Sequence, residues 1–173
     1  MHRGRSNPHN AMIRIIHAAD LHLDSPFESL DAEKASVRRS EQRALLERIA
    51  AEVNQRNADL LLLAGDLLDS GSAYAETGEA LLAALGKVCV PVFIAPGNHD
   101  WYSRRSLYAH LPFPDNVHIF RAPRLESVFL PELGVRVWGA GYTSPSCEAL
   151  LRGFRAPAED GVTQLLVLHA ELG

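Results

Sequence analysis

Three short apolar runs, each followed at once by a polar residue, constrain this chain more than any other feature. IRIIHAA (13–19) is followed by Asp20, DLLLLAG (59–65) by Asp66 and PVFIAPG (91–97) by Asn98. The runs are continuous rather than alternating, which predicts short strands buried on both faces. Between the first two lies AEKASVRRSEQRALLERIAAEVNQR (32–56), where Leu45, Ile49 and Val53 recur at i, i+4 and i+8 and predict an amphipathic helix. A second helix is expected from about Ala73 to Leu85, with Gly86 as its stop. The β-α-β-α-β order predicts a parallel sheet with right-handed crossovers.

The second half changes character. NVHIF (116–120), SVFLPELGVRVWGAG (127–141) and QLLVLHA (164–170) read as strands with little helix between them. LPELG reads as a hairpin connection, so SVFL and VRVWGA should pair antiparallel. A second, partly antiparallel sheet packed on the first would bury both, with helices over the outer faces. The expected fold class is α/β: two facing mixed β-sheets flanked by helices, an αββα sandwich. A chain of 173 residues holds one domain with a sizeable core. We assign residues 13–173 to that domain and read residues 1–12 as a flexible tail.

The formal net charge of -4 gives no global attraction to nucleic acid or an acidic membrane. The arginines nevertheless cluster, at Arg38 and Arg39, Arg104 and Arg105, and Arg121 and Arg124. Arginine is the better fork for phosphate, although any single cluster is more often a solvated face. Cys89 and Cys147 are too few and too far apart for a disulfide scaffold or a zinc knuckle, and Cys89, inside an apolar run, reads as a small core residue. This usage fits a reducing compartment. Arg14 interrupts MIRII, which is too short for a signal-peptide core, and no run has the length of a membrane span. The expectation is a cytoplasmic protein with no membrane partner.

The strand ends carry the chemistry. The first finishes with Asp20 and His22, the second with Asp66, the third with Asn98 and His99, and the last with His169. Ligands of open α/β sheets bind beyond the carboxyl ends of the strands, so these donors should converge there. Two divalent ions about 3.5–4 Å apart need a shared carboxylate and further nitrogen and oxygen ligands. Asp66, alone on a central strand, suits the bridge. Asp20 and His22 are two apart, so on an extended segment both would project to one side and chelate one ion. Asn98 supplies a neutral oxygen to the second ion and His169 a nitrogen. This mixture suits manganese, iron or zinc better than calcium or magnesium.

His99 directly follows a ligand, so it should stand over the site as a general acid or as a stabiliser of the leaving oxygen. Asp100 could hold its other ring nitrogen and fix the tautomer. Each fragment alone has a bland reading: Gly, Asn and Asp make turns, and an isolated D-x-H is commonly a surface pair. The ordered conjunction at strand ends is what carries the argument. Asp24 and Asp69 read as turn residues or as supports of the ligands, Trp101 and Tyr102 as packing residues, and Tyr142 as a residue that could border the site.

DLH (20–22), GDLLD (65–69), GNHD (97–100) and the later LH (168–169) resemble the calcineurin-like metallophosphoesterase superfamily. The stretches IIHAADLHLDSPF and LLLAGDLLDS are similar, more specifically, to its DNA-repair nuclease branch, the SbcD and YhaO-like proteins. The resemblance implies two divalent metal ions, manganese foremost with iron or zinc as alternatives. Asp20 and His22 would bind one ion, Asp66 would bridge, Asn98 and His169 would bind the other, and His99 would assist catalysis. It also implies DNA as substrate and a coiled-coil ATPase of the SbcC type as partner, and leaves a homodimer open. The family pattern continues to a G-H-x-H motif that this sequence lacks before Gly173. The expectation is therefore a C-terminally incomplete domain that binds metal weakly and is nearly inactive. The parent function expected is a metal-dependent DNA exonuclease or endonuclease. The alternatives are a phosphoesterase of small nucleotides or phosphoproteins, and an inactive module that serves as an assembly surface.

Overall fold

The computed structural model of the protein describes residues 12–70, 73–147 and 149–170; of the expected N-terminal tail, all but Met12 lies outside the described residues. Strands β1 (Ile15–Ala18), β2 (Leu60–Ala64), β3 (Val92–Ala95) and β4 (Val117–Ile119) form one sheet in chain order, with every neighbouring pair parallel. Helices α1 (Ala32–Gln55) and α2 (Ala75–Leu85) fill the first two crossovers, and the single turn α3 (Leu107–His110) precedes β4. A second sheet holds β5 (Glu126–Leu130), β6 (Val135–Gly139) and β7 (Thr163–Val167). There β5 and β6 make the expected antiparallel hairpin, and β7 joins β6 in parallel. One sheet is thus wholly parallel and only the other is mixed.

The continuous apolar runs are divided between two cores by the period of two of a strand. Leu61, Leu63, Val92 and Ile94 point to one side, where they pack on Leu46, Ala50 and Val53 of α1 and Leu81, Ala84 and Leu85 of α2. Leu60, Leu62, Ala64, Phe93 and Ala95 point to the other and meet Val135, Val137 and Val167 of the second sheet. Burying a leucine side chain is worth roughly 1.5–3 kcal/mol. With every residue of β2 buried, the middle of the sheet is its most firmly placed part.

Four expectations are corrected. β1 is not buried on both faces: Ile16 and Ala18 pack towards the helices, whereas Ile15 and His17 are exposed. It is an edge strand, and the second sheet covers β2 and β3 instead. The buried stripe of α1 runs through Leu46, Ala50 and Val53, with Leu45 only half-buried. Cys89 is exposed, because Val88 takes the inward position between α2 and β3. The helices lie on the parallel sheet. Among the described residues the outer face of the second sheet is covered by a loop, through Arg136 paired with Glu159 (2.8 and 2.9 Å) and Phe154 edge-on to Trp138.

Candidate metal centre

Beyond β1 the chain keeps pairing with the continuation of β2. Asp20 N donates to Gly65 O (3.1 Å), His22 N to Asp66 O (2.9 Å) and Leu23 N to Leu67 O (2.8 Å), which lays DLH alongside GDL. The backbone is not extended here: φ is 53° at Asp20, 43° at His22 and 49° at Asp66. Left-handed backbone at non-glycine residues costs free energy and persists where the surroundings over-determine it. The surroundings do so. Gln42 Nε2 of α1 donates to His22 O (3.0 Å), and Asp24 accepts from Arg43 Nη1 (3.2 Å), Tyr74 N (2.8 Å) and Thr77 Oγ1 (2.7 Å). Asp24 thereby caps the start of α2, whose own first residues supply no side-chain cap.

Asp100 ties the end of β3 to the end of β2. Its carboxylate accepts from Gly97 N (2.7 Å), Asp66 N (3.2 Å), Leu67 N (2.8 Å), Leu68 N (3.3 Å) and Tyr108 Oη (2.5 Å). Burial raises its pKa above the usual carboxylate range, against the pull of these donors. The Tyr108 phenol is pushed well up by burial and by the charge of Asp100. This corrects the expectation that Asp100 holds the His99 ring. Its oxygens face inward to main-chain donors, and the His99 imidazole, which is exposed, has its Nδ1 on Asp69 O (3.0 Å) instead.

Around the buried Asp66 the donors fall into two groups that share its carboxylate: His22 and His99 with Asp66, and Asp20 and His169 with Asp66. Within each group the ligand atoms lie within 4.8 Å of one another. Asn98 joins the second group through Oδ1, 2.9 Å from His169 Nε2. The structure thus divides the donors differently from the expected Asp20–His22 chelate, because the left-handed kinks send those two side chains to different sides of Asp66.

Each imidazole is held at Nδ1: His22 Nδ1 faces Asp69 Oδ1 (3.1 Å), His99 Nδ1 faces Asp69 O (3.0 Å) and His169 Nδ1 faces Ala64 O (3.4 Å). Nε2 of His22 and of His169 face Asp66 Oδ2, at 3.8 and 3.3 Å, and His169 Nε2 also lies 2.9 Å from Asn98 Oδ1. With Nδ1 as the donor, a neutral ring offers Nε2 to a cation. The donor set, imidazole with carboxylate and amide oxygen, fits divalent transition ions.

Glycine makes room for this crowding. A methyl group at Gly97 would stand 2.1 Å from Asp66 Oδ1, and one at Gly65 2.3 Å from His169 Cβ. A cleft of about 780 Å³ opens over Asp20, Asp66, Asn98 and His169, bordered by Tyr142, whose ring stands edge-on to His169 at 6.0 Å. No feature of the sequence marked Gln42 or Tyr108. Asp69 was legible only as a turn residue or a support, yet it contacts two imidazoles at once.

Two facing sheets that gather imidazole, carboxylate and amide oxygen around one buried carboxylate at the strand ends define a candidate metal centre. Residues 13–161 match the family described as Calcineurin-like phosphoesterase, and the chain belongs to that family. It is 32% identical over 126 residues to the uncharacterized metallophosphoesterase YhaO of Bacillus subtilis (strain 168). It is 30% identical over 122 residues to the SbcD component of the SbcCD nuclease from the same organism. Each match covers 68% of this chain and 30% of the relative, so the chain spans under a third of the relatives' length. A solved structure of Yfce, a phosphoesterase from E. coli, is 20% identical, with a TM-score of 0.38 over 74% of this chain and 57% of that one. No helix among the described residues is long and apolar enough to cross a membrane.

Proposed function

We propose that the protein is a dinuclear-metal phosphodiesterase of the nuclease type, with DNA as its substrate and manganese as its preferred ion. The observation that carries this reading is the convergence of the His22 and His169 Nε2 atoms and the Asn98 amide oxygen around the shared Asp66 carboxylate. In it Asp66 would be shared between two ions; Asp20, Asn98 and His169 would hold one and His22 the other. Such ions would supply positive charge for the phosphoryl oxygens and lower the pKa of a bound water.

The remaining work falls to the chain. Asp66 Oδ1 is held by His99 N (3.0 Å), so the bridging carboxylate and the histidine above it move as one unit. His99 is held at Nδ1 by Asp69 O, and its ring lies within 4.8 Å of the ligand atoms of His22 and Asp66, where its protonated form would donate to the leaving oxygen. Asp69 Oδ1 holds His22 in the tautomer a cation requires. The relative named as a nuclease subunit is the ground for the nuclease reading; DNA as substrate and an ATPase partner of the SbcC type are carried over from the motif resemblance.

The test separates the two roles. Asp66→Asn should abolish both manganese binding by calorimetry and hydrolysis of bis(p-nitrophenyl) phosphate. His99→Ala should keep the manganese affinity and lose turnover by about 10²–10⁴-fold. Unchanged turnover in His99→Ala refutes the role of His99, and hydrolysis of phosphomonoesters but not of oligonucleotides refutes the nuclease assignment.

A further inference from the structure

The loop that carries the site continues into a rigid, cationic turn. After Asp100 come Trp101 and Tyr102, then a turn with Arg104 and Arg105 exposed at its tip. Ser106 Oγ donates to Ser103 O (2.9 Å) and accepts from Ser103 N (3.2 Å), which closes the turn. Asp100 anchors the turn on one side and Tyr108, whose hydroxyl donates to Asp100, anchors it on the other. Tyr102 N donates to Tyr142 O (2.7 Å), Tyr142 N to Pro96 O (3.0 Å) and Gly141 N to Ala122 O (3.0 Å). The loops after β3, β4 and β6 therefore lie side by side, on the flank of the cleft lined by Asn98, Tyr142 and His169. On that flank the Arg121 guanidinium lies 5.5 Å from the centre of the Tyr102 ring.

Among the described residues no ion pair holds Arg104, Arg105 or Arg121, whereas Arg124, close to Arg121 in the chain, is held by Glu126. Arg14, Arg39, Arg48, Arg152 and Arg155 are without an ion pair as well; what sets the three apart is that they share one flank of the cleft. Three exposed guanidiniums are thus gathered on that flank of a protein whose net charge is -4. Holding two of them on a closed turn makes physical sense where an anion is to be met, and a preorganised guanidinium fork matches phosphate.

We infer that Arg104, Arg105 and Arg121 form a flanking phosphate subsite, which takes the phosphates of a nucleic-acid strand that runs on from the one held at the metal centre. This rests on the phosphodiesterase reading above and deepens it. Substrates would be discriminated by chain length: a strand reaches both the donors and the flank, whereas a small diester fills only the centre. Tyr102, with the Arg121 guanidinium over its ring, positions that guanidinium.

The test is the salt dependence of binding of a fluorescently labelled oligothymidylate of about twelve nucleotides, read by anisotropy in EDTA so that no turnover intervenes. Each arginine that neutralises a strand phosphate contributes about 0.7 to the slope of log K against log salt concentration. The variant Arg104→Ala/Arg105→Ala/Arg121→Ala should therefore flatten the slope by about 2. It should leave manganese-dependent hydrolysis of bis(p-nitrophenyl) phosphate unchanged. The control Arg14→Ala/Arg48→Ala removes two cations from other parts of the fold and should leave the slope as it was. A slope that changes no more in the triple variant than in the control overturns the subsite. So does displacement of the strand by inorganic tripolyphosphate as complete as by unlabelled strand at equal phosphate concentration. Failure of the unmodified protein to hydrolyse any diester overturns the phosphodiesterase reading instead, and the slopes still decide the arginines.

Discussion

Gly97→Ala is the smallest change that should disable the centre. The added methyl would stand 2.1 Å from Asp66 Oδ1, 2.9 Å from its Cγ and 2.7 Å from its main-chain nitrogen. The first of these is more than an ångström inside ordinary contact. Two of the three atoms belong to the carboxylate shared by both donor groups, and the third is main chain that cannot swing aside. φ at Gly97 is not in the left-handed region, so the alanine brings no backbone penalty and the effect is purely one of contact. Relief requires Asp66 to move by about an ångström. A misplacement of that size at a reacting centre costs about 10²-fold in rate, and over-packing costs about 1–3 kcal/mol of stability. Manganese calorimetry, bis(p-nitrophenyl) phosphate turnover and urea unfolding should be run on one preparation. Gly153→Ala is the control: its φ of 72° makes the alanine strained, but nothing stands within 4 Å of the new methyl, so only stability should fall. A Gly97→Ala protein that is folded and keeps the parent's manganese affinity and turnover would refute the reasoning.

Three further outcomes follow from the same geometry. Tyr108→Phe removes one donor from the buried Asp100 carboxylate and should cost about 1.5–3 kcal/mol in urea unfolding, the range for hydrogen bonds to charged groups. Asp69→Ala frees the His22 ring while leaving the main-chain acceptor of His99 in place, and should weaken manganese binding about 10–100-fold by calorimetry. His118 has its imidazole pKa lowered, mainly by burial; Glu126 raises it and Arg121 lowers it further, and its buried Nε2 has no hydrogen-bond partner among the described residues. The unfolded chain then takes up a proton near pH 6.5 that the native protein refuses, so stability is full above that pH and falls as the pH drops through it. His118→Phe, beside Phe93 and Phe120, should flatten this loss, as a smaller difference between urea midpoints at pH 5 and pH 8.

The parts of the fold that were legible in the sequence are those where one physical effect dominates. β2 and β3 read clearly because continuous burial leaves only apolar residues possible, and the hairpin read clearly from its turn. β1 carries the same composition and lies at an edge, since composition reports that a strand can be buried and not whether another layer reaches over it. The strand-end donors stood out because carboxylate and imidazole directly after buried apolar runs are costly unless used. Their grouping did not, because it depends on left-handed backbone at Asp20, His22 and Asp66, which an expectation of extended chain misplaces. Asp100 illustrates the same limit: its neighbour in sequence is His99, whereas its neighbours in space are four main-chain nitrogens and a phenol.

That last contrast explains how a centre made of loops can be rigid. Asp20, His22, Asp66, Asn98 and His169 lie beyond the ends of four different strands, where the ladder hydrogen bonds have stopped. The order that the sheet no longer supplies comes from two carboxylates that bind the protein itself. Asp100 fastens the loop after β3 to the loop after β2, and Asp24 fastens the loop after β1 to α1 and α2. Both direct their charge to amides, a hydroxyl or a guanidinium, and neither oxygen pair is turned to the cleft. Asp66, held at one oxygen by His99 N, keeps the other towards the imidazoles. The division of labour among the acidic residues is therefore set by where their oxygens point. Those satisfied by the chain hold the site in shape, and the one left facing the imidazoles is where a cation would be held.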